Sequence, residues 1–455
     1  MNTKSADMTH GPLLKQIVLY TIPIILTGIL QLLFNAADLV VVGQYCGSVS
    51  VGAVGATGPV INLITNLFIG FSVGSGVSVA HAIGAGRNDE IHRIVHTSIP
   101  LAFICGLILT IVGIVGAEYI LELMKTPDET IGLSAIYMKI YFGGIISSML
   151  YNFGAAILRA AGDTRSPLIH LTLAGILNVV LNLIFVIALN MDVAGVALAT
   201  TISQTLSAVL IIRTLMLRTD GCKLVLKKMH IYIRPLWKIL RIGFPAGIQG
   251  SLFSISNVII QSSVNSFGSI AVSGNAAAGN IEGFVYTSMN SVTQSALNFT
   301  GQNHGAKNFD RVKKTSFISL GFVFLIGLVL GVSAYIFSRP LLSIYISDSE
   351  EAIRFGVTRL LYISVPYCLC GIMDVSTGLL RGLGSSVMPM IITVAGVCGF
   401  RIVWIYSVFS MPQYHTLEVL YISYIISWTM TFIVQIVLFV ILYCIKKKNA
   451  INAIK

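Results

Sequence analysis

Charge is scarce in this sequence. Asp, Glu, Lys and Arg make up 10% of its 455 residues, against about 25% in an ordinary soluble domain. A soluble fold with so few charges could not cover its surface. A soluble enzyme on a small anchor is excluded too, because apolar stretches run the length of the chain. With 55% hydrophobic residues the chain is neither disordered nor collagen-like.

Catalytic signatures are missing as well. Without a Walker A pattern the chain shows no ATP-driven motor of its own. No HExxH or Ser–His–Asp arrangement is visible, and His170 stands alone among the apolar runs, which counts against a membrane-embedded enzyme. The 7 cysteines lack metal-ligand spacing. Cys368 and Cys370 would point about 200° apart on a helix, and all seven read as small apolar packing residues. No metal centre or organic cofactor is expected. Nor is a cleavable signal peptide, because the N-terminus is polar through His10 and the first apolar run is too long for a signal core.

What is present is apolar sequence in long runs. They fall near residues 16–42, 52–82, 95–117, 132–156, 167–190, 193–216, 240–266, 270–300, 315–337, 354–380, 387–409 and 418–445. At roughly 20 residues per crossing plus a connection, the length allows about 12 crossings. The short alternating segments of a membrane β-barrel are absent. The expectation is an all-α membrane protein with 12 transmembrane helices, some tilted or bent because their runs exceed the minimum.

The net charge of +11 would suit nucleic acid, but its distribution does not. Of the 29 Lys and Arg residues, Lys125, Lys139, Arg339, Arg354, Arg359 and Arg401 lie apart from the rest. The other 23, Lys4, Lys15 and Lys455 among them, gather with the N-terminus and the connections after even-numbered runs. That asymmetry puts both termini in the cytoplasm and turns the basic groups toward anionic headgroups. The expected partner is the lipid bilayer, with no role for nucleic acid. Glu118, Glu122, Asp128, Glu129, Asp348, Glu350 and Glu351 fall on the other side and read as solvated loop groups.

The chain also repeats itself. Leu158–Pro167 returns as Leu380–Pro389 at an offset of 222, Pro23 meets Pro245 at the same offset, and Gly84-Ala85 meets Gly305-Ala306 at 221. Two pseudo-symmetric six-helix bundles follow, residues 1–218 and 239–446. A cytoplasmic linker at 219–238 joins them, and a tail at 447–455 follows the second. Six is even, so both halves start on the same side and the repeats are parallel. Two like bundles leave a central cleft, and rocking one against the other gives alternating access. This favours a transporter over a scaffold, with a channel as an alternative that conductance recording would separate.

Asp38, Glu282 and Asp374 are the three of 18 acidic residues well inside the runs. Each costs roughly 2.5–3.5 kcal/mol there unless paired, hydrated or protonated, so a functional role is the default. Asp38 shares a depth with Asn178 and Asn182 of the fifth run, one turn apart on one face, and with Thr200 of the sixth. One carboxylate, two amides and a hydroxyl suit Na⁺, or an Asp that gains and loses a proton. A plain interhelical hydrogen-bond clamp is the alternative. Pro23 removes a backbone hydrogen bond and can bend the first helix, moving Asp38. Glu282 sits near mid-membrane with Asn275, Tyr286, Met289, Asn290 and Gln294 on its run, and Arg401 lies at a similar depth. A Glu282–Arg401 ion pair therefore competes with a substrate or proton site. Asp374 lies nearer the cytoplasmic end. Tyr137, Tyr141, Tyr151, Phe153 and several Met residues could line a cleft for organic cations.

These residues resemble a known family. Ile22-Pro23 followed by Asp38 and Gly43, the loop Leu158–Pro167, the paired Asn178 and Asn182, Gly195 through Thr200, and the loop Leu380–Pro389 look like the MATE family (multidrug and toxic compound extrusion) over nearly the whole chain. The resemblance implies export of cationic, often aromatic drugs in exchange for Na⁺ or H⁺. It implies a coupling-ion site in the first half built from Asp38, Asn178, Asn182, Thr200 and the backbone carbonyl of Val196. Some members carry Asp where this chain has Asn182, which leaves both ions open. One branch has a Glu in the seventh helix, near Phe253 here, where this chain has no acid, whereas Asp374 resembles that branch's tenth-helix Asp.

The expectation is a monomeric secondary antiporter in a bacterial inner membrane. Glu282, Asp374, Arg401, Tyr141, Tyr286 and Met289 are its candidates for the substrate and the second lobe. A lipid-linked precursor flippase of the broader superfamily is the alternative. It should have more spans and a strongly cationic cleft, for which Arg401 is the one deep candidate.

Overall fold

The computed structural model describes residues 7–124, 126–346 and 349–452. Lys4, Lys125, Asp348 and Lys455 lie outside the described residues. The helices form twelve spans: α1 (Leu13–Tyr45), α2 (Ser48–Gly84), α3 (Asn88–Leu123), α4 (Asp128–Gly143 with Ile145–Ala160), α5 (Arg165–Ala188), α6 (Asp192–Leu217), α7 (Ile233–Asn265), α8 (Ser269–Gly305), α9 (Phe309–Ile336), α10 (Glu350–Ser364 with Tyr367–Gly382), α11 (Val387–Phe409) and α12 (Leu417–Asn452). No strand occurs among the described residues.

Eight spans are single helices long and apolar enough for a bilayer, and α4 and α10 qualify as pairs bent by 48° and 45°. α7 and α8 match the others in length but are richer in Ser, Asn, Gln and Gly. The described part of the tail expected at 447–455 is not a loose end: α12 runs on to Asn452, and Lys447 pairs with Asp310 at 2.9 Å.

The repeat is written into the backbone. α1 and α7 have 33 residues each, and α2 and α8 have 37. Left-handed φ angles recur at matching places: Gly47 at +89° with Gly268 at +88°, and Gly162 at +87° with Gly384 at +85°. These glycines let the chain reverse between helices at little steric cost. In the first copy of the repeated loop, Asp163 caps the start of α5. Its Oδ1 accepts the Ser166 N–H at 3.0 Å and its Oδ2 accepts the Ser166 hydroxyl at 2.6 Å.

Two compact units divide the molecule, and they are not the sequence halves cut at the linker. One contains Ile22–Ser251, the other Met8–Thr21 and the chain from Leu252 onward. The chain thus changes unit inside α1, beside Pro23, and again inside α7. In the second unit, Arg311 gathers the lead-in to α1, donating to the carbonyls of Met8, His10 and Gly11 at 2.9 Å each and to Gln16 Oε1 at 2.7 Å.

In the first unit, the leading half of α7 lies directly on α2. A Cβ on Gly70 would come 2.3 Å from the Gly247 nitrogen, one on Gly74 2.2 Å from the Ile239 oxygen, and one on Gly247 2.1 Å from the Leu67 oxygen. Each helix offers two glycines one turn apart, so the backbones touch without side chains between them.

Candidate ion site and the polar interior of the second half

The first unit brings Asp38, Asn178, Asn182 and Thr200 together. α1 and α5 approach because Gly175 has no side chain: a Cβ there would stand 1.8 Å from the Phe34 ring. Phe34 lies one turn before Asp38, and Gly175 shares a face with Asn178 and Asn182, so the same contact seats the carboxylate against the amides. Asn182 Nδ2 donates to Asp38 Oδ1 at 2.5 Å and to Asn178 Oδ1 at 3.2 Å. The Thr200 hydroxyl donates to Asp38 Oδ2 and accepts from Asn178 Nδ2, both at 3.3 Å.

Asn178 and Asn182 are buried, and a π-helical turn, Leu183–Ala188, begins directly after Asn182. Such turns recur at functional sites. Asn182 Oδ1 is buried without a hydrogen-bond partner among the described residues. That orphan acceptor, the carboxylate, Asn178 Oδ1 and the Thr200 hydroxyl form the oxygen-only donor set a hard cation takes. Val196, one turn before Thr200, is fully buried.

Tyr137 is an electrostatic neighbour of Asp38, and its ring stacks on Tyr141 at 6.3 Å. Tyr141 also hydrogen-bonds Gln204, one turn beyond Thr200. An aromatic wall thus stands beside the carboxylate. Tyr137, Tyr151 and Phe153 do not line a cleft: all three are buried in the hydrophobic core, with the Tyr151 hydroxyl on the Pro167 carbonyl at 3.2 Å, and Tyr141 is partly buried against that core.

In the second unit the Glu282–Arg401 pair, one of the two alternatives for Glu282, does not form. Glu282 pairs with Arg359, whose Nε and Nη2 reach its two oxygens at 2.9 and 2.7 Å. Nη1 of Arg359 donates to Asn275 Oδ1, which also takes the Tyr421 hydroxyl at 3.0 Å. The sequence places Arg359 with the outer-side cations, but the first segment of α10 carries it inward to a buried acid. Its position directly before an apolar stretch was the available signal.

Arg401 instead sits over aromatic rings on α12. Asp374 accepts from the Tyr286 hydroxyl and faces Arg381, so Arg401 is not the one deep cation. Tyr286 is 40% exposed and stacks on Tyr367. Met289 is core rather than lining: a Cβ on Gly327 or Gly371 would come 2.8 Å from its sulfur.

A family model described as MatE matches residues 23–184 and 245–407, one match in each half. The chain belongs to the MatE family. The two matches start at Pro23 and Pro245, the proline pair that marks the repeat. This MatE chain is 27% identical over 411 residues to the probable multidrug resistance protein YoeA of Bacillus subtilis strain 168, with 88% of each chain covered. It is also 27% identical to the probable multidrug resistance protein NorM of Thermotoga maritima, covering 85% of this chain and 84% of that one. Among solved structures, an outward-facing multidrug resistance MATE transporter of the MOP superfamily aligns with a TM-score of 0.91, over 98% of this chain and 100% of the other, at 23% identity. That likeness shows the shared fold. Within this MatE chain the acid–amide cluster occurs once, since the positions 222 residues on are Ile260, Phe400, Trp404 and Ile422.

Proposed function

We propose that this MatE protein is a secondary active multidrug exporter, driven by H⁺ or Na⁺ acting at Asp38. The relatives named for multidrug resistance support export of organic compounds. The coupling role rests on one observation: Asp38 lies against two buried amides, one of which holds an unpartnered oxygen. We further propose a monomer in a bacterial inner membrane, and both termini in the cytoplasm, the last on the basic asymmetry of its connections.

The chemistry follows from hydrogen-bond polarity. As an anion, Asp38 accepts from Asn182 and Thr200. A proton or Na⁺ held at Oδ1 cannot be met by the Asn182 N–H, so there the amide must turn and present its oxygen. With Na⁺, the carboxylate, both amide oxygens and the Thr200 hydroxyl would hold the ion. With a proton, Asp38 becomes the donor. Either change alters what fixes the outer half of α1 to α5. Pro23 lies on the same helix and removes one hydrogen bond of its ladder. Thr27 adds a side-chain bond to the Pro23 carbonyl at 2.7 Å, a contact that favours bending. The partly buried Tyr141 ring, stacked on Tyr137, offers an aromatic face near the carboxylate to an organic cation.

Efflux of a cationic dye from proteoliposomes, under separately imposed H⁺ and Na⁺ gradients, tests the proposal. One gradient is expected to drive efflux, and Asp38→Asn is expected to remove it while leaving the folded yield unchanged. Undiminished gradient-driven efflux by that variant would remove Asp38 from the mechanism.

A further inference from the structure

Between the α2–α3 connection and the first turns of α7, the first unit leaves a cavity of about 650 Å³. That lies within the roughly 300–1,000 Å³ of small-molecule sites. Arg87, Asp89, Glu90 and Arg93 line it on one side, Arg234 and Lys238 on the other.

The charges around it do not balance: four cations face two acids. Glu90 fixes two of the cations, Lys238 at 2.8 Å and Arg87 at 3.2 Å, and so ties α7 to α3. The guanidinium carbon of Arg93 lies 5.8 Å from the centre of the Tyr232 ring. Among the described residues no ion pair joins Arg93 or Arg234 to a carboxylate. Both are exposed, which leaves their N–H forks open to an anion. α3 starts at this wall, and its N-cap Arg87 supplies no side-chain cap, so the positive end of the helix dipole adds to the field.

We propose that this cavity binds the phosphate of an anionic phospholipid headgroup. The guanidinium forks of Arg93 and Arg234 match phosphate oxygens, and basic pockets between membrane helices are where such headgroups settle. Depth favours a lipid over a soluble phosphate. α3 has 36 residues and α7 has 33. At about 1.5 Å per residue each outruns a hydrocarbon core of about 30 Å, so their first turns reach the headgroup layer. Trp237, between Arg234 and Lys238, is 72% exposed, and Ile233 is 79% exposed. An exposed Trp beside basic groups is the pattern of that layer, and the two apolar side chains offer the acyl chains a surface that a soluble phosphate would not use.

Two lipids with the same fluorescent acyl chain, a phosphatidylglycerol and a phosphatidylcholine, make the probe pair. Both carry the phosphate, but the choline cation of the second meets the cavity's surplus positive charge. Binding of each to the purified full-length protein in dodecyl maltoside is read by fluorescence anisotropy. Wild type is expected to hold the phosphatidylglycerol roughly tenfold or more tighter, the scale of one charge-assisted contact. Arg93→Gln with Arg234→Gln should bring that preference below about threefold. Arg234→Gln alone should lower it part-way, and it supplies the answer if the double variant does not fold. Lys313→Gln with Lys314→Gln, which removes exposed basic groups of α9 outside the cavity, should keep it. No preference in the wild type, or an undiminished one in the arginine variants, would overturn the proposal. So would an equal loss in the lysine variant, which would reduce the effect to diffuse surface charge. Inorganic phosphate that displaced the phosphatidylglycerol at comparable concentration would make the cavity a site for soluble phosphates and remove the lipid.

Discussion

At Asn182 one side chain serves two partners and keeps an oxygen in reserve. Both its N–H groups are used, on Asp38 and Asn178, while its oxygen has no partner. Replacing it with Leu removes donor and reserve together. Asn182→Leu should cut gradient-driven dye efflux by roughly tenfold or more, the scale of a lost hydrogen bond to a charged group, at unchanged protein level in the membrane. Wild-type efflux would reduce the cluster to a clamp. Glu282 calls for the opposite expectation. Glu282→Gln leaves Arg359 buried without its acid, a change on the order of 3–5 kcal/mol, so thermal stability in detergent should drop sharply. The double variant Glu282→Met with Arg359→Met should recover most of it. Lost transport at unchanged stability would instead make Glu282 a transport group.

The Asp38 cluster was legible in the sequence because depth along a regular helix and the i, i+4 spacing of Asn178 and Asn182 both survive folding. The partner of Glu282 was not. Arg401 lies between π-helical turns at Val394–Gly399 and Ile405–Phe409, and another, Leu360–Ser364, follows Arg359. Each such turn adds a residue per winding. Depth and facing counted at a regular helical pitch therefore drift where these two arginines sit.

Among the helices, contacts made by missing side chains set the spacing. Twelve spans and their repeat could be read from apolar runs and loop motifs. Which helices touch could not, because Gly70, Gly74, Gly243 and Gly247 show their spacing but not their partner. Gly175→Ala should push Phe34 off α5 and weaken coupling, lowering gradient-driven efflux several-fold. Adding Phe34→Ala should restore part of it, and no recovery in the double variant would contradict this packing. Gly247→Val forces a branched side chain into backbone contact with α2, which should lower the folded yield seen by size-exclusion chromatography. An unchanged profile would count against the crossing.

Across the whole molecule, the two halves share a backbone plan but not a chemistry. The first carries its membrane acid among amides and a hydroxyl. The second carries two acids, each facing an arginine or a tyrosine. The linker between the two halves has its own electrostatic anchor beyond the end of α6. Burial pushes the Asp220 carboxyl up, but the Arg218 guanidinium and the Cys222 N–H at 3.1 Å outweigh it and hold the group below the usual carboxylate range. A depressed folded value means the stabilisation is full above the unfolded value of about 3.9 and fades as pH falls through the folded one. Thermal melts should show wild type above Asp220→Asn near neutral pH and converging with it below about pH 4. A gap that persists in acid would contradict the pairing.

Coupling is reciprocal: if the ion drives the drug, the drug must drive the ion. A dye gradient imposed across proteoliposomes, with ion movement read by a lumenal pH indicator and by radioactive sodium, tests Asp38 most directly. Wild type should move one of the two ions against the dye and Asp38→Asn neither, whereas ion movement by that variant at the wild-type rate would place the coupling elsewhere.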